Sequence, residues 1–319
     1  LGIIRSMRTQ SPDHPDGIYH MHTCYKQSER VPHAELGAMV AKYLGQADAD
    51  LPSFVRMGPT GNAGSGYLGP SYEPFSIDRG GKLPYFTSPY LPAANEARRN
   101  ELLRFMETEH QKENGAEVYE SHRVAKERAW RLLRAKELFD TTKDWPKHES
   151  LYGATGFGRS CFLARKLVEA GVPFVEVGQD NYDSHADNFV CHKANMQVLD
   201  PAWAGLLIDL ERTGQLQDTL VVWMGEVGRT PNINNRAGRD HFIRGWTIVL
   251  AGGGVKGGVV YGSTDADGRE VAENPVSEGD LFATIYTALG VNPRAKHFAG
   301  TRPIWATPEG SKPIKELLS

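Results

Sequence analysis

Residues 156–178 read GFGRSCFLARKLVEAGVPFVEVG, an amphipathic helix ending on Gly171 with VPFVEVG following directly as a buried strand. The alternation continues with a helix over 188–213, a strand over Thr219–Met224, a strand over Trp246–Ala251, a tight Gly252-Gly253-Gly254 turn and a last helix over about Glu278–Leu289. Helix and strand taking turns from 155 onward predict an α/β fold whose mainly parallel sheet is covered by helices on both faces. In such sheets ligands gather beyond the carboxyl ends of the strands. Two strand ends here carry acids and imidazoles. The first runs Asp180-Asn181-Tyr182-Asp183-Ser184-His185; the second runs Glu226-Val227-Gly228-Arg229-Thr230-Pro231 and leads to Gly238-Arg239-Asp240-His241.

Upstream of this core, Leu1–Met7 reads as the end of a strand already under way, so the chain is expected to be N-terminally incomplete. A loop and helix rich in histidine follow, with His14, His20, His22 and His33 close together. Residues 34–45 have apolar positions at helical spacing and close on Gly45, which reads as a C-terminal cap. Leu51–Val55 reads as a short strand, and the Gly-, Pro-, Ser- and Tyr-rich stretch 57–93 as a long surface excursion. Residues 94–141, rich in Arg, Glu and Ala, predict two charged helices inserted into one large domain spanning 1–319.

At 319 residues the chain is long enough to bury a large core. A formal charge of −3 provides no global basic field for nucleic acid. The three cysteines, Cys24, Cys161 and Cys191, form no CxxC pair and no disulfide framework. No run of 18 apolar residues is long enough to span a membrane.

The chemistry concentrates at the strand ends. In an extended Asp183-Ser184-His185 the outer two side chains point the same way, and a carboxylate with a neutral imidazole suits Zn, Mn or Fe, with Mg or Ca held if more oxygens join. The plain alternative is that Asp183 caps the following helix while His185 is solvated. Glu226 ends the apolar strand DTLVVWMGE, where an ionisable group needs a cation or hydrogen bonds. A metal satisfies it, and so does an ion pair with Arg229, whose fork of donors equally suits a phosphate or sulfate. On a loop, Asp240 and His241 can serve one metal or two, and Asp240 can instead orient His241 from behind. His14 lies in a Pro-flanked loop before a helix, where its ring can face the same cleft; at most one of His20 and His22 can join it. The Gly-rich stretch 252–258 lacks the spacing of a phosphate or dinucleotide loop, and no GxSxG motif occurs.

GFGRSCFLARKLVEAGVPFVEV, YDSHADNF, DTLVVWMGEVGRTPNINNRAGRDHFIRGWTIVLAGGGVKGG and PVSEGDLFATIYTALGVNP together resemble the sulfatase-like bacterial proteins known as domain of unknown function 1501. That family is similar to the alkaline phosphatase and sulfatase superfamily. The resemblance implies an alkaline phosphatase-like domain and metal-dependent hydrolysis of a sulfate or phosphate ester, carried by a small molecule or carbohydrate. By position, Glu226 stands where the superfamily strand ends in a metal-binding Asp. Asp183 and His185 resemble the preceding acid and His ligands, and His241 a later His ligand. His14 falls near the superfamily's nucleophile, and Cys24 stands where Gly is usual. Together these imply a divalent metal (Zn, Mn, Ca or Mg) on Asp183, His185, Glu226, Asp240 and His241, with His14 and Arg229 as catalytic groups. Family members usually begin with an export signal, which implies a periplasmic or exported protein. They also carry an early Gly-Gly-Pro-Ser strand end with an Asp ligand, which this chain lacks along with a hydroxyl nucleophile. Val227, Phe242 and Tyr182 replace the commoner Phe, Trp and Trp. The rival reading is a non-catalytic exported binding protein that keeps the fold and a structural metal.

Overall fold

A computed structural model describes residues 1–46, 49–61, 63–79, 98, 101, 102, 105, 106 and 135–319. The helical insertion expected over 94–141 falls mostly outside these residues.

The segment that decides the fold behaves as its sequence requires. Helix Gly156–Glu169 starts at Thr155, whose side chain accepts the Gly158 N–H at 3.0 Å, and stops where Gly171 turns left-handed at φ 92°. Strand Phe174–Val177 follows at once. In chain order the strands that matter are β1 (Gly2–Met7), β2 (Phe54–Met57), β3 (Phe75–Ile77) and β4 (Phe174–Val177). The set continues with β5 (Leu220–Trp223), β6 (Gly228–Arg229), β7 (His241–Phe242), β8 (Trp246–Gly252) and β9 (Val259–Tyr261). The helices are α1 (His14–Thr23), α2 (Leu36–Leu44), α3 (Lys136–Phe139), α4 (Trp145–Tyr152), α5 (Gly156–Glu169), α6 (Asn188–Arg212) and α7 (Glu278–Ala288).

One sheet, ordered β3-β2-β4, is parallel throughout. A second, four-stranded sheet, ordered β5-β8-β1-β9, is mixed: β9 runs parallel to β1, but β8 runs antiparallel to both of its neighbours. The expectation of a mainly parallel sheet is therefore corrected to a mixed α/β architecture. The cause lies between β5 and β8. A parallel pairing needs a long crossover, usually helical, whereas residues 224–245 contain no helix and instead form the β6–β7 hairpin, so the chain returns in the opposite direction.

Ile4 and Met7 of β1 and Ile248 and Leu250 of β8 form one core with α2 (Met39, Val40) and α7 (Leu281, Phe282, Tyr286). Val55 and Met57 of β2 pack with Leu163 and Leu167 of α5 in a second core, and the opposite side of α5 meets α4 and α6 through Phe162, Tyr152 and Leu199 in a third. Gly45 does follow α2, but not as a left-handed cap: its φ is −72°, and a Cβ there would lie 2.2 Å from the Ala41 carbonyl oxygen. Close approach, not handedness, selects glycine at that position. No described helix is long and apolar enough to cross a membrane.

Candidate metal centre

Three strand ends supply the site. After β1, residues 9–13 run beside β7, with the Thr9 N–H on the Ile243 carbonyl, and α1 opens at His14. After β4 the chain passes Asp183 and His185 before α6 begins, and after β5 it passes Glu226 before the β6–β7 hairpin. In that hairpin Arg229 and His241 are direct cross-strand partners, which puts their side chains on one face. The loop leading into β7 is strapped along 184–188. Arg239 N–H donates to Ser184 O, Asn188 N–H to Ala237 O, and the Asn234 amide to His185 O and Asp240 Oδ1, both at 3.1 Å. Gly238 makes this possible, since a Cβ there would lie 2.1 Å from the His185 backbone.

His14, Asp183, His185, Glu226, Arg229, Asp240 and His241 thereby come together, and the histidines share one arrangement. The Nδ1 atom of each faces an acceptor: Glu226 Oε1 at 2.6 Å for His14, Asp240 Oδ1 at 2.8 Å for His185, and the Pro12 carbonyl at 2.5 Å for His241. Carbonyl and carboxylate oxygens can only accept, so these partners assign the proton to Nδ1 in each ring. All three Nε2 atoms then turn toward Asp183. His185 Nε2 and His241 Nε2 lie 3.0 and 3.2 Å from Asp183 Oδ1 and 3.3 Å from each other. His14 Nε2 lies 3.2 Å from Asp183 Oδ2 but off the hydrogen-bond direction, and it is buried without a hydrogen-bond partner.

This donor set fits a divalent metal. Ligand atoms held about 2.0–2.1 Å from a tetrahedral zinc lie roughly 3.3 Å apart, close to the 3.0, 3.2 and 3.3 Å edges of the triangle formed by His185 Nε2, His241 Nε2 and Asp183 Oδ1. With the Nδ1 protons committed, the two Nε2 lone pairs face one another, an arrangement that a cation between them relieves. His14, Asp183 and His241 also each offer a ligand atom within 4.8 Å of the others. Oriented imidazoles with acceptors behind them are the usual outer support of metal-ligating histidines.

The site's electrostatics agree. Desolvation works against ionising Asp183, but the hydrogen bond and the charge of the Arg229 guanidinium outweigh it and hold the carboxyl far below the usual carboxylate range. Burial likewise opposes charge on His14, yet the Glu226 acceptor and the nearby Asp183 charge raise its pKa above the ordinary 6.5. The hydrogen bonds from His185 and Asn234 pull Asp240 downward.

Glu226 and Asp240, expected among the ligands, thus stand one step back, on the outer nitrogens of His14 and His185. The plain alternatives do not form either. Arg229 Nη2 donates to Asp183 Oδ1 at 2.7 Å instead of pairing with Glu226, and the N-cap position of α6 is Asp187, which makes no side-chain cap hydrogen bond, so Asp183 does not cap the helix. His20 and His22 stay outside the cluster, facing Glu278 at 3.2 Å and Glu176 at 2.9 Å. Sequence reasoning missed two supports. Asn234 sits in a polar loop with no distinguishing pattern, and the Pro12 carbonyl is backbone, which composition cannot reveal.

No curated protein and no solved structure matches the chain. A family model described as protein of unknown function (DUF1501) matches residues 1–318, and the chain belongs to that family.

Proposed function

We propose that the chain is a divalent-metal-dependent hydrolase of phosphate or sulfate esters, built as a single alkaline phosphatase-like domain with the 94–141 helical insertion and working outside the cytoplasm. One observation carries the reading: three imidazole Nε2 atoms turn toward Asp183 while every matching Nδ1 is tied to an acceptor. Asp183, His185 and His241 would hold the metal, and this nitrogen-rich set favours Zn over Mn, Ca or Mg. When bound, the metal supplies Lewis-acid polarisation of the ester oxygen. Glu226 fixes the His14 ring, whose Nε2 faces the same carboxylate and can either complete the donor set or hold a proton for the leaving oxygen. Arg229, 15% exposed and held to Asp183 through Nη2, would take the anionic group.

A second reading, a non-catalytic exported binding protein with a structural metal, draws support from the nearby hydroxyls. Ser184 Oγ bonds Asn188 and His192, and Thr230 Oγ1 bonds Asn232 and Asp240, so both are engaged in holding the loops rather than free to act as nucleophiles.

Metal content and turnover of aryl phosphates and sulfates, measured on the same preparation, test both readings. About one tightly held transition metal per chain, lost in Asp183→Ala and His241→Ala, together with metal-dependent turnover, supports the hydrolase. Stoichiometric metal without turnover moves the chain to the binding reading, and metal below one equivalent that both variants leave unchanged sinks the metal centre altogether. His14→Ala separates its two roles: unchanged metal content with lost turnover assigns it the proton.

A further inference from the structure

Asp183 Oδ1 has three nitrogen neighbours, and one of them is a permanent cation. Arg229 Nη2 lies 2.7 Å from it, while His185 Nε2 and His241 Nε2 lie 3.0 and 3.2 Å from the same atom. A metal held by the two Nε2 lone pairs would draw on that oxygen as well. A guanidinium cannot give up its charge, and an oxygen that donates a lone pair to a metal is a weaker acceptor for Arg229, so metal binding loosens the Asp183–Arg229 pair. Arg229 cannot withdraw far. It is the cross-strand partner of His241 and is largely buried, with a second tie from Nη1 to the Arg239 carbonyl at 3.3 Å. Displaced from Asp183, its freed donors remain at the rim of the metal position.

We propose that Arg229 is a metal-gated anion site: metal binding takes Asp183 Oδ1 from the guanidinium, which then grips a tetrahedral oxyanion, phosphate or sulfate, beside the metal. Metal and anion therefore each tighten the other. The gate rests on the metal-centre reading above. Before metal binds, the guanidinium's charge is neutralised by Asp183, so the anion finds little to hold. Afterwards, a positively charged fork of donors suited to an oxyanion faces it. Reciprocity follows from linkage, because the factor by which metal tightens the anion must equal the factor by which the anion tightens metal.

Calorimetric titration of the chelator-treated full chain tests this, with Zn²⁺ or Mn²⁺ alone, and with inorganic phosphate or sulfate before and after metal loading. The expected result is at least about tenfold tighter anion binding after loading, matched by an equal gain in metal affinity when the anion is present. Arg229→Gln should bind metal more tightly than wild type, since the competitor is gone, and should lose the coupling. Arg229→Lys keeps a charge near Asp183 but not the fork, so metal affinity should stay near wild type while anion binding weakens; it also guards against a fold effect of the glutamine. Anion binding that is equal with and without metal, or metal affinity that is unchanged or weaker in Arg229→Gln, overturns the gate while leaving the metal centre standing. Failure of the wild-type chain to bind metal overturns both.

Discussion

At the scale of single residues, the outer supports of the three histidines separate ligand from orienter. Asp240→Asn keeps the shape of the side chain but weakens the acceptor behind His185 Nδ1, and Glu226→Gln does the same behind His14. Loss of such a partner usually costs about 10–100-fold in metal affinity, whereas His241→Ala removes a donor atom outright. Zinc affinity measured by competition with a chromophoric chelator should fall moderately in Asp240→Asn and Glu226→Gln, with His241→Ala far below both. If Asp240→Asn matches His241→Ala, then Asp240 is itself a ligand. The sequence brought these residues to attention because acids and imidazoles at strand ends are conspicuous. It could not rank them, since whether a carboxylate meets a metal or a ring N–H depends on loop paths of a few ångströms. Arg229 shows the same limit: its spacing from Glu226 suggested an ion pair, while its place across from His241 sent it to Asp183.

Elements set those paths, and one glycine carries much of the load where the loop before β7 lies on 184–188. Gly238→Ala would push a methyl into the His185 backbone, which has little room to move while tied to Asn234. A cost of about 1–3 kcal/mol is typical of such overpacking, and the expected signature is weakened metal binding with a lowered thermal midpoint and unchanged circular dichroism. Away from the site, α1, β2, β4 and the residue that opens α2 are joined by a buried charge network. His22 Nε2 lies 2.9 Å from Glu176 Oε1, Arg56 Nε donates to Glu176 Oε2 at 3.1 Å, and Arg56 Nη2 donates to Glu35 Oε1 at 2.5 Å. Burial, only partly offset by Arg56, pushes Glu35 from 4.5 up to about 7. The folded chain therefore holds a proton there that the unfolded chain releases, and stability falls as pH rises from about 4.5 to 7. Burial disfavours the charged His22, but the Glu176 acceptor prevails and raises it, so its contribution is complete below 6.5 and is lost at higher pH. Glu176, desolvated yet held low by His22 and Arg56, contributes above 4.5 and loses its share in acid. Glu35→Gln should gain roughly 3 kcal/mol on wild type between pH 4.5 and 7 in denaturant melts; parallel curves would show that Glu35 ionises normally. The network was illegible in the sequence, because its members are scattered singly over 150 residues. By contrast α5 and the place of β4 were legible, their caps and periods being local, although all four residues of β4 are half-buried and not buried as expected, while the direction of β8 depended on what a long irregular segment did elsewhere.

For the whole molecule, the centre is a tie between parts of the chain that no continuous element joins. His14 comes from the connection after β1, Asp183 and His185 from the one after β4, and His241 from the hairpin between β5 and β8. These connections belong to both sheets, so a ligand gripping all of them favours the folded state of both. An ion that binds only the folded chain adds about 2.7 kcal/mol at one hundred times its dissociation constant. For 319 residues, the average unfolding entropy per residue converts this to a rise of about 4 °C in the midpoint. Scanning calorimetry should therefore show one transition that moves upward with zinc and returns with chelator. Asp183→Ala should remain at the chelated value at every zinc concentration. A midpoint in the wild-type chain that zinc leaves unmoved would mean that the convergence of imidazoles serves only to hold Asp183 and Arg229 in place.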